Sequence, residues 1–215
     1  MNEYAYGMWV VMAFNVGLFL FFILSFIKPK IKIEWRNMGI VTAFLVALFT
    51  EMYGFPLTIY LLTGWLGDAY PVLQPFNHKH GHLWVVVFGG STLAWALVMA
   101  VSIVFLLAGY NLMSKGWNKI HAAHGQLVTD GVYSYVRHPQ YTGLFLLIIG
   151  FLIQWPTLLT IIMAPILLYA YRKLALTEEM KMNEQFSQEY KEYTHDLPAF
   201  IPPFNQWRKF MTVAS

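Results

Sequence analysis

The sequence predicts an all-α integral membrane protein of about five transmembrane helices. A short helix 4–5 hairpin and a cytoplasmic C-terminal helical segment complete the prediction. Three observations carry this. Residues of the set AVILMFWYC make up 58% of the 215-residue chain and charged residues only 12%. Soluble domains run about 45–50% apolar and about 25% charged. Long runs without Asp, Glu, Lys or Arg recur along the chain, and the basic residues between them fall mostly on alternate connections. Such a chain is too apolar for disorder, which needs low hydrophobicity and high charge. The absence of cysteine excludes a disulfide scaffold, a thiolate-ligated zinc site and a cysteine nucleophile. A net charge of +3 on so apolar a chain does not argue for nucleic acid.

The charge-free runs place the elements. Gly7 to Ile27 is long enough to span. Its acidic start at Glu3, its length and the lack of a small-residue cleavage site separate it from a signal peptide. Met38 to Thr63 is the second segment, interrupted by Glu51 and Pro56. His82 to Ser114 is the third. Pro139 to Tyr171 is too long for one crossing at about 1.5 Å per residue. Gln154-Trp155-Pro156-Thr157 supplies a break, because proline lacks an N–H and disfavours helix before it. Two short helices in a tight hairpin are therefore expected.

The basic residues set the orientation. Lys28, Lys30, Lys32 and Arg36 follow helix 1, Lys115, Lys119 and Arg137 follow helix 3, and Arg172 and Lys173 follow helix 5. The positive-inside rule then places the N-terminus outside and the C-terminus in the cytoplasm of a plasma (inner) membrane protein. The expected organisation is one membrane domain over 1–215. Residues 1–110 form helices 1–3 on the acceptor side. Residues 111–215 hold the cofactor loop, the hairpin and the C-terminal segment. No repeat, low-complexity tract or soluble domain is evident in the sequence.

Two stretches carry candidate chemistry. Gln126 to Gly143 combines the Asp130-Gly131 turn signal, aromatics, Arg137, His138 and then Pro139, which suits a first helical turn. Read alone, it is equally a juxtamembrane loop with an arginine anchor and interfacial tyrosines. Arg172 through Tyr193 places Arg172 and Glu179 on one helical face, seven residues apart, and spaces Phe186, Tyr190 and Tyr193 as a stripe. Read alone, it is a solvated extension of helix 5.

Together they form the ordered pattern Leu-Val-Thr-x-Gly-Val-Tyr-x-x-x-Arg-His-Pro-x-Tyr-x-Gly, Arg172, Glu178-Glu179 and Phe186-x-x-x-Tyr190-x-x-Tyr193. Over residues 124–204 this resembles the isoprenylcysteine carboxyl methyltransferase family, whose wider group includes phospholipid methyltransferases. The resemblance implies S-adenosylmethionine bound without a Rossmann domain, and the chain has no G-x-G-x-x-G fingerprint. Gln126, Leu127, Val128, Gly131, Tyr133, His138, Pro139, Tyr141, Glu178 and Glu179 match the family's cofactor-binding segments. A carboxylate suits ribose hydroxyls, and Arg137 or His138 suits the methionine carboxylate. Arg172 matches a family arginine near the active centre and can hold an anionic acceptor at two points. Arg137, Arg172, Glu178 and Glu51 are the expected catalytic residues.

The implied reaction is direct displacement onto a lipophilic or small acceptor entering from the bilayer. A carboxylate or thiolate needs no base, whereas a phospholipid amine needs one, for which Glu178 or Glu179 is the candidate. A nicotinamide-dependent membrane lipid reductase is the rival enzyme. Steroid-reductase-like proteins share a broadly similar hairpin, but the Arg-His-Pro and Glu-Glu pattern favours methyl transfer.

Glu51 lies in hydrocarbon by this reading, where an acid is costly and points to function, a structural hydrogen bond being the alternative. His78, His80 and His82 alternate, which suits one edge of an extended strand. A metal sensor or carrier would use them, but no carboxylate or thiol accompanies them, and no metal site is expected. His121 and His124 read as plain loop residues. Tryptophans suit the interfacial belt and methionines fill apolar gaps.

Overall fold

A computed structural model describes residues 91–214 and, before them, residues 13, 14, 17, 21, 44–48, 84 and 88. Glu51, His78, His80 and His82 lie outside the described residues. Every regular element among the described residues is helical. The long ones are α1 (Thr92–Ala122), α2 (Pro139–Gln154) and α3 (Leu158–Thr194); α4 (Trp207–Ala214) closes the chain. Short 3₁₀ turns occupy Gly131–Ser134 and Phe204–Gln206. α1 and Thr160–Thr194 are long and apolar enough to cross a membrane. At about 24 Å, α2 falls short of the ~30 Å hydrocarbon core.

The expected break is present, but the helix after it is not short: it runs from Leu158 to Thr194. α2 ends at Gln154, and Trp155, Pro156 and Thr157 are non-helical. α3 then starts on a reciprocal cap. The Thr157 hydroxyl accepts from the Thr160 N–H (3.1 Å), and the Thr160 hydroxyl accepts from the Thr157 N–H (3.0 Å). Two N-terminal donors that helix geometry leaves without partners are thus satisfied.

α1 differs from expectation at both of its described limits. Its described helix begins at Thr92 and runs past Ser114 to Ala122, through Lys115, Trp117 and Lys119. Charge does not stop it, because the lysines find partners off the helix. Lys119 pairs with Asp130, and Lys115 Nζ donates to the Val213 carbonyl at 3.0 Å. His121, expected in a loop, lies in the last turn of the helix, and His124 sits in the turn beyond it with φ 46°.

The chain clusters into two compact units, Met1–Ala100 with Leu152–Leu167, and Val101–Phe151 with Leu168–Ser215. Within the first, Gln154 Nε2 donates to Met99 Sδ at 3.7 Å, and residues 44–48 are helical with Phe44, Val46 and Leu48 buried.

Within the second unit, α1 and the first part of α2 run antiparallel in close contact along a ladder of small residues. The Ser102 hydroxyl donates to the Gly150 carbonyl at 3.0 Å. A Cβ on Gly109 would lie 2.6 Å from the Gly143 carbonyl, and one on Gly143 would lie 2.6 Å from the Gly109 carbonyl. Gly116 faces the Gln140 backbone. Ser102, Gly109 and Gly116 are seven residues apart in sequence, as are Gly143 and Gly150. Small residues at that spacing let helix backbones approach where lipid removes the hydrophobic drive for association.

The loop between α1 and α2 is packed, not free. Val132, Tyr133 and Val136 form a core with Leu112 of α1 and Phe210 of α4. Gly131 has φ 64°, the left-handed conformation that suits glycine in the predicted Asp130-Gly131 turn. The Arg137 and His138 N–H groups donate to the Pro198 and Ala199 carbonyls, each at 2.9 Å. The segment after α3 is thereby tied back to the start of α2.

Candidate functional site

Pro139 opens α2, where its missing N–H is harmless, and so places His138 at the mouth of the helix. α3 brings Glu178 and Glu179 alongside. Glu179 Oε1 accepts from Arg137 Nη1 and from His138 Nε2, each at 2.9 Å. Glu178 Oε1 accepts from the Tyr141 hydroxyl at 2.5 Å, and its Oε2 lies 3.8 Å from His138 Nδ1. Adjacent carboxylates on α3 thus divide the work: Glu179 grips the Arg-His pair, and Glu178 leans on Tyr141.

His138 is buried, and its ring stacks on Tyr141 and tilts against Phe200, with centroids 5.7 and 5.6 Å away. Burial pushes its pKa below the ordinary imidazole value; the Glu179 contact opposes that, and the Arg137 charge adds to it. A neutral ring donating through Nε2 leaves Nδ1 without a proton and facing Glu178.

α3 turns sharply at Ser187 (φ 45°, ψ −106°), a conformation that L side chains rarely adopt. Beyond the turn Tyr190 is buried, and the Tyr193 hydroxyl donates to the Tyr133 carbonyl at 2.8 Å. The Tyr133 hydroxyl is within hydrogen-bond reach of Gln140 Oε1 (3.0 Å) and of the Gly116 carbonyl (3.2 Å). Burial holds the Tyr133 phenol well above its usual pKa, so it remains a donor.

These side chains close a cleft of about 180 Å³. One wall is the loop Gly125, Gln126, Leu127 and Val128; the floor is Tyr133, Arg137, His138 and Gln140; the facing wall is α3 from Glu178 through Tyr193. Arg137 Nε is buried there with no hydrogen-bond partner. The guanidinium is held by Glu179 through Nη1 and also interacts with the Tyr190 side chain.

Of the residues expected at a cofactor site, Gln126, Leu127, Val128, Tyr133, His138 and Glu178 line this cleft, and so does Arg137. Tyr141 and Glu179 stand behind it as partners of Glu178, Arg137 and His138. Pro139 is buried at the helix start, and Gly131 faces the Lys119 side chain. Arg172 is exposed and is not among the lining residues. Gln140, Met182 and Gln185 also line the cleft and were not expected. Met182 lies four residues before Phe186 and four after Glu178, so helical spacing from those residues reaches it. Gln140 carries no such signal, being an unremarkable polar residue at a helix start. Among the described residues, no group of three His, Cys, Asp or Glu side chains is placed to hold a metal ion.

Residues 84–189 match the family model described as phospholipid methyltransferase. The protein-S-isoprenylcysteine O-methyltransferase of Schizosaccharomyces pombe (strain 972 / ATCC 24843) is 32% identical over 93 residues, which is 43% of this chain and 38% of that protein. The matched segment is thus well under half of that relative's length. No solved structure matches the chain significantly.

Proposed function

We propose that this chain, which belongs through residues 84–189 to the phospholipid methyltransferase-like group, is an integral membrane methyltransferase using S-adenosylmethionine. The observation that carries the reading is the convergence of 126–128, Tyr133, Arg137-His138 and Glu178 on one cleft, inside or beside the matched segment.

The donor set suits this cofactor. Arg137, which lines the cleft with its side chain 24% exposed, offers a charge-assisted bond to the methionine carboxylate. Glu178, with a side chain 37% exposed, offers acceptors to ribose hydroxyls. The loop backbone at 126–128 offers partners to adenine, and Leu127, Val128 and Phe186 offer an apolar slot. At about 180 Å³ the cleft is smaller than the roughly 300–1,000 Å³ of ligand pockets. The exposed Met182 and Gln185 lie on its α3 wall, where Gln185 Nε2 donates to the Gly125 carbonyl at 3.5 Å.

Bound there, S-adenosylmethionine supplies a methyl group on a cationic sulfonium. The chain's own part is positioning and desolvation. Glu179 fixes Arg137 and His138, Tyr141 fixes Glu178, and the Tyr193–Tyr133 bond ties the end of α3 to the loop. With no cysteine in the sequence, no thiol of the protein carries the methyl. Arg172, on the exposed part of α3, is assigned to the acceptor's anion. The acceptor is a carboxylate or thiolate on a lipophilic or small molecule. The name of the Schizosaccharomyces pombe relative supports a prenylated cysteine carboxylate. The lysine and arginine distribution supports a cytoplasmic cleft in the inner membrane.

The family model's description favours a second acceptor, a phospholipid amine. The test is methyl transfer by the reconstituted chain from labelled S-adenosylmethionine to a farnesylated cysteine, a small thiol or phosphatidylethanolamine. Label in either of the first two is expected. Label in the amine alone contradicts the acceptor assignment. No label anywhere, with NADPH-dependent lipid reduction instead, contradicts the methyltransferase reading.

A further inference from the structure

A second cavity lies on the other side of His138 and Phe200. It has about 500 Å³ and is lined by Ala108 and Asn111 of α1, Phe145 and Ile149 of α2, and Trp207 and Met211 of α4, among others. Its size falls within the roughly 300–1,000 Å³ of ligand pockets. The lining is almost wholly apolar. Of its polar residues, Thr142 already donates to the Phe200 carbonyl at 2.7 Å, which leaves Asn111.

Three observations identify the occupant. The cavity continues the apolar surface of α1, where Val101, Val104 and Leu107 are exposed. Those residues belong to a helix long and apolar enough to span a bilayer. The wall toward the cofactor cleft is closed. Phe200 packs on both His138 and Phe145 there, with centroids 5.6 and 5.3 Å away. The third observation is α4. It turns Trp207, Phe210 and Met211 toward the cavity and carries exposed Arg208 and Lys209 on its remaining surface. Just before it, Ile201 and Phe204 are 68% and 94% exposed. A short amphipathic helix with an aromatic edge and a basic face is the pattern of a segment lying at the bilayer surface.

We propose that this cavity binds one acyl chain of an anionic phospholipid of the bilayer, with the lipid phosphate at the basic face of α4. The site is separate from the cofactor cleft and does not depend on the identity of the methyl acceptor.

The experiment uses the full chain in phosphatidylcholine vesicles doped with phosphatidylglycerol brominated in mid-chain. The quenching signal is the difference between wild type and Trp207→Phe. Strong quenching is expected. Brominated phosphatidylcholine at the same fraction should quench weakly. Arg208→Gln and Lys209→Gln should each lower the preference for the anionic lipid about five-fold, the value of one basic residue near a charged surface. Ala108→Phe, which fills the cavity, should abolish the signal; Ile149→Phe at the rim is the second variant if the first loses its fold. Equal quenching by the two lipids overturns the proposal, as does quenching that survives cavity filling. Displacement of the brominated lipid by a farnesylated cysteine also overturns it, in favour of an acceptor-chain pocket.

Discussion

One oxygen of Glu179 accepts from two donors: Arg137 Nη1 and His138 Nε2 both lie 2.9 Å from Oε1. The three residues come from segments about forty positions apart, so this contact fixes the entrance of α2 against α3. The side chains are 24%, 6% and 18% exposed for Arg137, His138 and Glu179. Removing the carboxylate leaves a largely buried guanidinium without its ion-pair partner.

Glu179→Ala is therefore expected to destabilise the folded chain by about 2 kcal/mol, less than the 3–5 kcal/mol of a fully buried broken pair. It should also weaken S-adenosylhomocysteine binding at least ~10-fold, the effect of about 1.4 kcal/mol. Thermal unfolding in detergent and calorimetry measure the two. An unchanged midpoint would show that the ion pair does not hold the helices.

The buried His138 ring predicts a pH dependence of stability. Its folded-state pKa lies below the ordinary 6.5 because burial outweighs the Glu179 contact. The folded protein therefore favours the neutral ring relative to the unfolded chain. That stabilisation is full above the unfolded pKa and is lost as pH falls through the lowered folded value. Stability should fall on acidification below about pH 6.5, and His138→Gln should flatten that limb. A wild-type acid limb that survives His138→Gln unchanged assigns the dependence to another group.

The small-residue ladder makes a graded prediction. Alanine at Gly109 or Gly143 puts a methyl 2.6 Å from opposing backbone, which cannot swing aside. Each should cost about 1–3 kcal/mol or prevent folding. Gly116→Ala meets the Gln140 N–H at 3.2 Å and should cost less. Gly125→Ala meets nothing within 4 Å, so any cost there comes from φ 88° alone. Unfolding midpoints should rank the variants in that order.

Tyr193→Phe removes the 2.8 Å bond to the Tyr133 carbonyl while keeping the ring. A loss of about 1 kcal/mol is expected. Because the bond ties the end of α3 to the cleft floor, cofactor affinity should fall with it. Full affinity in a destabilised variant would place Tyr193 outside the site's support.

Much of this was legible in the sequence for identifiable reasons. Pro156 cannot donate a helical hydrogen bond, so the end of α2 was fixed by covalent chemistry alone. Asp130-Gly131 required a turn, and Gly131 adopts it. The C-terminal limit of α1 was less legible because charge-free length stops counting at Lys115. The helix continues because Asp130 and the Val213 carbonyl, remote in sequence, receive its lysines. The ladder of Ser102, Gly109 and Gly116 was invisible for the same kind of reason: spacing of small residues names a face only once its partner helix is known. The cleft's aromatic wall was visible as the Phe186, Tyr190 and Tyr193 stripe. Its bend was not, since nothing in the local sequence at Ser187 demands φ 45°. The roles of Glu51 and of the His78, His80 and His82 segment stay at the level of sequence expectation, because those residues lie outside the described ones.

The most direct measurement is calorimetric titration of S-adenosylhomocysteine into the detergent-solubilised chain, with NADPH as the control ligand and Glu178→Ala and Arg137→Lys as folded variants. A cofactor cleft at Arg137 and Glu178 predicts saturable binding at about one site, no NADPH binding, and at least ~10-fold weaker binding in both variants. NADPH binding in place of S-adenosylhomocysteine, or full affinity in both variants, would contradict it.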